Sequence, residues 1–488
     1  MPRLGAPRVP LKTTTTTTTA MLAMLAGSGS ALAGGAHPLD DLQPGHWYEV
    51  PDSRIEDQFP EPAPAGNTGP SAVIGAWGGG AFDSIGEQLL VWGGGHGDYG
   101  GNEVYAFDVA ALAWSRSWGP SEGIDSIPGE CSPEYPDGQP SSRHTYDGIQ
   151  FSPETGLLWA SGGFRFCGNT GSDQRTWLFD PANPGAGWFG GADALEGQGT
   201  PTSAYDPMTG WIYYQGANDL QAYDPSADSY TLVGSVDGGW WMSATSVIDP
   251  IDNLMISIGD DIVRVWDLNT MTVTLEQLTT GGDILVGAGP AGLQWDPQLE
   301  RPVAWVGGTS VYSLDVSTWE WFEHAAADDN AVTPTDPNGT GTYGRFRYMP
   351  SRNAYVLVNA TNENVYFYKA TKGGGTPVPP PPGGDSSGDG GASGEDSGGA
   401  TTGASADGGS ASGDGSGPSD ATGGTTAMGG SDDTAGADAE GSEGGCGCHQ
   451  SPATPFGFAW LVLLLGVRRR DREVRSDRAG SGLRCGAL

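Results

Sequence analysis

Two histidines are the residues most able to do chemistry in this chain. His96 lies in the glycine-rich stretch GGGHGDYGGNEVY, and His144 lies in SSRHTYDG. Imidazole exchanges a proton most readily near neutral pH. Beside a tyrosine and a cationic arginine, such a histidine could abstract the proton next to the carboxylate of a uronate sugar. The candidate partners are Tyr99, Tyr146, Arg143 and Arg165.

A second group of residues is suited to binding. Aromatic rings stack on sugar rings or pack against a partner protein, and polar side chains beside them hydrogen-bond to hydroxyl groups. We expect the ligand-binding residues to be Asp98, Tyr99, Asn102, Trp240, Trp241, Tyr343 and Arg345. One tryptophan of the pair could instead pack in the core.

The sequence offers little for a cofactor. Asp98, Asn102 and Glu103 could hold a structural divalent cation, since hard cations take oxygen ligands, but their spacing matches no EF-hand loop or zinc motif. The stretch 93–101 is rich in glycine but lacks the Gly-Lys-Ser/Thr ending of a phosphate loop. We therefore expect no cofactor.

A repeat supplies the scaffold for these residues. An apolar strand, a tight turn and a second apolar strand recur about every 43 to 54 residues, with one longer interval, which is typical of propeller blades. A third strand ending in Asp and a fourth strand follow in five copies. The turns are Phe82-Asp83, Phe151-Ser152-Pro153, Tyr205-Asp206-Pro207, Ile248-Asp249-Pro250, Trp295-Asp296-Pro297 and Tyr348-Met349-Pro350. The pattern predicts an all-β propeller of about six blades.

The last blade lacks its own fourth strand, since the sixth copy stops at residues 364–370. The segment HWYEV (46–50) supplies one, with Trp47 in the place of Trp114 and Trp188. A blade built from both ends of the domain leaves no long free sheet edge. Alternatively, Trp47 could belong to an unfolded leader.

Three glycine runs resemble kelch repeats, including the galactose-oxidase type of propeller. They are Gly93-Gly94-Gly95, Gly162-Gly163 and Gly307-Gly308, each followed by an aromatic residue and then by a tryptophan. The resemblance covers about residues 47–370, and the other three blades lack the double glycine. Copper oxidation of the galactose-oxidase kind would need a tyrosine cross-linked to a cysteine, which we do not expect here. The His/Tyr/Arg group is similar to that of propeller-fold polysaccharide lyases.

The blade topology predicts which residues share a face. In an antiparallel four-stranded blade, the loops between strands two and three lie on the same face as the loops between blades. Both histidines fall on that face, as do Cys131 and Cys167, a lone pair that most often forms a disulfide in an oxidising compartment. The bond would hold the insertion before blade two over the channel entrance, either as part of a ligand site or as a structural cap.

Charge narrows the range of partners. The formal net charge is −37, and only Lys12, Lys369 and Lys372 are lysines. Nucleic acid binding needs Lys and Arg to neutralise phosphates, so this acidic chain excludes it. A polyanionic sugar is disfavoured on the same ground.

The two termini predict export and tethering. Residues 1–33 have a basic start, an apolar stretch and the ending Ala31-Leu32-Ala33, as in a signal peptide. The propeller is expected over residues 44–372. Residues 373–445 are rich in Gly, Ser and Asp and are predicted to be a disordered acidic linker.

The C-terminal region resembles the myxobacterial C-terminal sorting signal. Cys446-Gly447-Cys448 precedes the apolar run 456–467, predicted as a short helix, and the cluster Arg468-Arg469-Arg470. The resemblance implies processing and surface retention at Cys446 or Cys448, within an anchor over residues 446–470. The apolar run is shorter than the ~20 residues that span a membrane. The polar tail 471–488 departs from the family, whose arginines lie close to the terminus.

The sequence therefore predicts a monomeric propeller, exported and anchored at the cell surface or outer envelope. We expect it to bind an extracellular glycan or a surface protein. The alternative is a carbohydrate-active enzyme of the polysaccharide-lyase type that uses His96 or His144 with Arg143 or Arg165. A third possibility is a purely structural envelope protein.

Overall fold

Six four-stranded antiparallel sheets form a ring in the part of the chain that the structure describes. The structure is a computed structural model. It describes residues 37–168, 172–216, 218–236, 243–259, 262–276 and 291–379. The predicted signal peptide (1–33), the sorting segment with Cys446 and Cys448, the tail, and the linker beyond residue 379 lie outside these residues.

Each of the first five blades is made of four consecutive strands. The first strands are β2 (Gly79–Asp83), β6 (Ile149–Ser152), β10 (Thr202–Tyr205), β14 (Thr245–Asp249) and β18 (Gly292–Asp296). The second strands are β3 (Gln88–Trp92), β7 (Leu157–Ser161), β11 (Ile212–Gln215), β15 (Leu254–Gly259) and β19 (Arg301–Trp305). The third strands are β4 (Val104–Asp108), β8 (Thr176–Phe179), β12 (Asp219–Asp224), β16 (Ile262–Asp267) and β20 (Val311–Asp315). The fourth strands are β5 (Ala113–Trp118), β9 (Trp188–Gly190), β13 (Ser229–Ser235), β17 (Thr272–Glu276) and β21 (Glu320–His324).

The sixth blade takes its strands from both ends of the domain. It contains β22 (Phe346–Met349), β23 (Ala354–Leu357), β24 (Tyr366–Lys369) and β1 (His46–Glu49), in the order β1-β24-β23-β22. Short helices are α1 (Pro38–Asp41), α2 (Ala72–Gly75) and the 3-10 turns Ile55–Gln58, Pro184–Ala186 and Tyr343–Arg345. None of the helices among the described residues is long and apolar enough to cross a membrane.

The first strands line the central axis and close the ring. Each contacts the first strand of the next blade, from β2 through β6, β10, β14 and β18 to β22, and β22 in turn contacts β2. Successive loops therefore alternate between the two ends of one channel. The predicted all-β, six-bladed propeller is confirmed.

Aspartates shape the hairpins that give the blades their regular form. Asp83, Asp249 and Asp296 each accept hydrogen bonds from the backbone N–H groups two and three residues later, at 2.8–3.2 Å. Asp108 and Asp267 do the same in the turn between the third and fourth strands. In such an Asx turn, the aspartate side chain itself accepts the hydrogen bonds that stabilise the tight reversal. Part of the acidity of the folded region is therefore structural.

β1 occupies the place predicted for the missing fourth strand. Trp47 pairs with Tyr368, one residue before the end of β24, in the register by which Trp114 pairs with Phe107 in the first blade. Its ring lies 4.7 Å from that of Tyr368 and 6.2 Å from that of Trp305. Its Nε1–H donates to the carbonyl of Thr309 at 3.0 Å. Trp47 therefore belongs to the fold and not to an unfolded leader.

Two arginines add hydrogen bonds across the closure. Arg345 donates to the carbonyl of Gly78 at 2.8 Å, and Arg347 donates to that of Gly80 at 2.8 Å. Both carbonyls belong to the entrance of the first blade, whereas both arginines belong to the sixth. Buried backbone carbonyls need such partners, so these side chains hold the last blade to the first.

The predicted disulfide between Cys131 and Cys167 is present, with the two Cα atoms 5.1 Å apart. It joins the insertion before the second blade to the β7–β8 loop. Ile124 and Tyr135 of the insertion pack with Phe166 of that loop in a small buried cluster. The insertion is thus held against the face on which the two histidines lie.

Candidate functional site

The two histidines lie side by side at one mouth of the channel. The ring of His96 lies 5.5 Å from that of His144, although the two residues come from different loops. Trp77 lies 4.9 Å from His144, and Phe164 lies 5.6 Å from His96. We call this cluster the histidine pocket, formed by Trp77, His96, Asp98, His144, Tyr146, Phe164 and Tyr343.

Ring closure brings these loops together. Trp77 precedes β2, His96 and Asp98 lie in the β3–β4 loop, Tyr146 precedes β6, and Tyr343 precedes β22. Tyr146 lies 6.3 Å from Trp77 and 5.8 Å from Tyr343, ring to ring. Blades one, two and six thus contribute to one surface, as the blade topology predicts.

Asp98 orients His144. The Nε2–H of His144 donates to Oδ2 of Asp98 at 2.9 Å, because an ionised carboxylate can only accept. Thr68 donates its hydroxyl to Oδ1 at 2.9 Å. Burial alone would raise the pKa of Asp98, but the hydrogen bonds from His144 and Thr68 outweigh it and lower the pKa below its ordinary value. Asp98 is therefore a carboxylate that fixes the tautomer and the angle of His144.

The pocket has an accessible layer over a buried one. His144 is only 2% exposed, and Tyr146 and Tyr343 are also buried. Trp77 and His96 are half-buried, and Phe164 and Asp98 are similarly accessible. A ligand would thus meet these four side chains first.

His96 is held in its neutral form. Burial lowers its pKa, and the neighbouring His144 lowers it further, against a smaller opposing effect of Asp98. The ring of His96 therefore stays uncharged down to a lower pH than the ring of an exposed histidine would. A neutral imidazole can both donate and accept a hydrogen bond.

Four residues of the histidine pocket have left-handed backbone. Trp77, His96, Tyr146 and Tyr343 all have positive φ angles, between 47° and 53°. Left-handed backbone is unfavourable for bulky side chains, and such residues cluster at ligand and active sites. Three of the four are aromatic residues placed just before a first strand. The surrounding fold thus enforces the direction in which these rings point.

Both candidate arginines are committed elsewhere. Arg143 is 1% exposed and lies 3.5 Å from Asp173, with further bonds to backbone carbonyls at Ser141 and Gly162. Arg165 donates to the same Asp173 at 3.1 Å. Asp173 offsets one of their two positive charges, and both side chains are largely buried and bonded within the fold, so neither is offered to the histidine pocket as the predicted partner of a uronate carboxylate.

Several predicted ligand-binding side chains point away from the pocket. Tyr99 is fully buried and donates its hydroxyl to Glu103 at 2.6 Å. Asn102 is buried too, with its amide between Ser121 and the carbonyl of Pro140. Arg345 is fully buried among backbone carbonyls. The polar groups of these three side chains are bonded within the fold.

The three side chains proposed as cation ligands each bond to a different partner. Asp98 faces His144, Asn102 faces Ser121, and Glu103 accepts from Tyr99 and from Tyr105. Within the described ranges, no group of three or more His, Cys, Asp or Glu side chains is arranged to hold a metal ion. Trp240 and Trp241 lie outside the described residues.

Trp77, Phe164 and Asp173 were missed by sequence reasoning. A usable signal exists for the first, since an aromatic residue stands one or two positions before a glycine at each of three blade entrances: Trp77-Gly78, Tyr146-Asp147-Gly148 and Tyr343-Gly344. Phe164 directly follows the double glycine of the second blade. No sequence spacing predicts that Asp173 forms ion pairs with two arginines.

The arrangement offers two kinds of chemistry. Half-buried aromatic faces beside a carboxylate and an imidazole suit the binding of a hydroxylated ligand. A histidine oriented by an aspartate also forms part of a general-base site.

No protein-family model matches the chain, and no curated protein sequence matches it.

Proposed function

We propose that the histidine pocket binds a neutral extracellular saccharide. The observation that carries the proposal is the convergence of two accessible aromatic rings, Trp77 and Phe164, on the imidazoles of His96 and His144. Sugar rings stack on aromatic faces through their C–H groups, while carboxylates and imidazoles accept hydrogen bonds from their hydroxyls. Asp98 and His96 supply those acceptors.

Charge supports a neutral ligand over a uronate. Asp98 contributes a negative charge to the pocket, because its pKa is lowered. Arg143 and Arg165 are both bonded to Asp173 and are not offered to a ligand. The formal net charge of −37 acts in the same direction at longer range.

The wider role we propose is surface display. The chain resembles kelch-like propellers, and its sequence predicts an export signal over residues 1–33 and a sorting segment over residues 446–470. The described chain also leaves the propeller at the mouth opposite the histidine pocket, since Thr376 donates its N–H to the carbonyl of Pro350, in the β22–β23 turn. A tether attached there would direct the pocket outward.

A glycan array probed with the full chain tests the proposal. We expect retention of at least one neutral saccharide, with affinity reduced at least tenfold in Phe164→Ala, since a lost stacking contact of about 1.4 kcal/mol is a factor of ten. Phe189→Ala is the matched control, because Phe189 is 44% exposed on β9, away from the pocket. Undiminished binding in Phe164→Ala, or no saccharide bound at all, would count against the pocket.

A second pair of variants tests whether the carboxylate of Asp98 contributes to saccharide binding. Asp98→Asn removes the carboxylate but keeps an oxygen that can accept from Thr68. We expect it to weaken saccharide binding, whereas Asp41→Asn, an exposed carboxylate in α1, should have no effect. Equal saccharide affinities in the two variants would show that Asp98 does not take part in binding.

The second candidate is an enzyme that uses a general base. The lowered pKa of His96 favours it, because it keeps this imidazole neutral, and the 2.9 Å bond to Asp98 fixes the neighbouring ring of His144. His96 is the accessible histidine of the two and would be the one to meet substrate. A lyase would generate an unsaturated uronate with new ultraviolet absorbance, lost in His96→Ala. If neither glycan binding nor turnover is observed, a purely structural role is favoured.

A further inference from the structure

The other mouth of the channel holds an apolar cavity that the proposed function does not use. Its volume is about 680 Å³. It is built by the ends of the first strands and the turns that follow them, at the opposite end of these strands from the histidine pocket. The aromatic residues that line it are Phe82, Phe151, Tyr205, Trp295 and Tyr348.

The chain's own continuation forms one edge of this cavity. After β24 ends, the chain crosses the turn between β22 and β23, and Val378 and Pro379 are part of the cavity lining. These two residues begin the sequence Val-Pro-Pro-Pro-Pro (378–382). The cavity therefore contacts a proline-rich segment within the same chain.

Specific contacts direct the segment there. Asn353 donates its side-chain amide to the carbonyls of Lys372 and Gly373, at 3.2 and 3.3 Å. Thr376 donates its N–H to the carbonyl of Pro350 at 2.7 Å. At Gly375, an added Cβ would lie 1.9 Å from the same carbonyl, so only glycine allows this approach. The exit path is therefore fixed by the sixth blade before the prolines begin.

The lining has the chemistry that recognises proline-rich peptides. Extended polyproline segments dock in grooves of aromatic side chains, because the proline ring is apolar and the restricted backbone loses little entropy on binding. Here rings of five blades face the cavity, and Pro153, Pro207, Pro250, Pro297 and Pro350 complete its apolar rim. The contact is also intramolecular, which gives the segment an effective concentration in the millimolar range.

We propose that this cavity is a polyproline-binding site whose edge the protein covers with its own segment Thr376–Pro379. Docking there holds the start of the linker on the propeller axis. The same site would accept a proline-rich peptide in trans once the internal segment is displaced. The occupant is thus a short extended peptide with prolines, not a sugar and not a membrane surface.

The test uses the full chain and a synthetic peptide, Thr-Pro-Val-Pro-Pro-Pro-Pro, titrated by calorimetry. In Val378→Ser/Pro379→Ser the internal competitor is weakened, so we expect the peptide to bind about tenfold more tightly than to the wild-type chain. Pro377→Ser is the matched control, because Pro377 is absent from the lining; it should change the affinity less than twofold. Met208→Asp, added to the Val378→Ser/Pro379→Ser variant, places a charge at an exposed lining position and should abolish peptide binding.

Hydrogen exchange gives an independent readout. The N–H of Thr376 should be protected in the wild-type chain and should exchange faster in the Val378→Ser/Pro379→Ser variant. The proposal is overturned by equal peptide affinities in the wild-type chain and that variant, by no peptide binding in the variant, or by unchanged exchange at Thr376. None of these measurements involves a saccharide, so they are separate from the test of the histidine pocket.

Discussion

Replacing Trp47 with alanine will lower the free energy of unfolding by about 3–5 kcal/mol, the usual cost of deleting a buried tryptophan. Trp47 is 3% exposed and packs against Trp305 of the neighbouring blade and Tyr368 of its own. The substitution leaves a cavity between blades five and six and an unpaired carbonyl at Thr309. At about 2–4 °C per kcal/mol, the melting temperature should fall by on the order of 10 °C.

The control for this prediction is Phe189→Ala. Phe189 is also an aromatic residue on a fourth strand, but it is 44% exposed, so its removal should cost less than about 1 kcal/mol. Deleting residues 46–50 should be more damaging than Trp47→Ala, because it also exposes the edge of β24. A melting temperature unchanged by that deletion would mean that β1 does not close the ring.

The contribution of Asp147 to the stability of the propeller will fall as the pH rises from about 4 to about 7. Asp147 lies inside the channel, 1% exposed, and burial raises its pKa to about 7 despite the nearby charge of Arg347. The folded state therefore holds a proton that the unfolded state releases near the model value of 3.8. This contribution declines through the window and levels off above it. At 1.36 kcal/mol per pKa unit, the decline is at most about 4 kcal/mol.

Asp147→Asn isolates this effect. The amide oxygen can still accept from the N–H of Ser246, which donates to Asp147 at 2.8 Å, but the side chain no longer ionises. Denaturant unfolding at pH 5 and pH 8 should show the variant gaining stability relative to wild type as the pH rises. Asp41→Asn serves as the exposed control. A parallel pH dependence in wild type and Asp147→Asn would show that Asp147 is not the titrating group.

The blades could be predicted from the sequence because their physics is local. Each turn sits at the same point of its repeat, and an aspartate such as Asp83 or Asp296 forms the reversal with its own neighbours. The closing strand was predictable for a different reason, since a five-and-three-quarter-blade ring leaves one open edge and HWYEV is the apolar segment available to cover it. Both inferences required only spacing and residue type.

The site could be predicted only in part, because side-chain direction in glycine-rich loops is not local. Asp98 and Tyr99 are consecutive, yet Asp98 faces His144 whereas Tyr99 faces Glu103 in the blade interior. The commitment of Arg143 and Arg165 depends on Asp173, a partner that no spacing rule identifies. The blade topology predicts which loops share a face. Which side chains of those loops enter the pocket could be seen only in the packed structure.

The most direct test of the histidine pocket is a nuclear magnetic resonance titration of the histidine side chains with a saccharide retained on the array. Among the described residues, His96 and His144 lie in the pocket, whereas His37 and His324 lie elsewhere. The ring signals of His96 should shift with ligand concentration and those of His144 should follow, while the signals of His37 and His324 stay in place. Saccharide binding that leaves the His96 signals unmoved would contradict the proposed function.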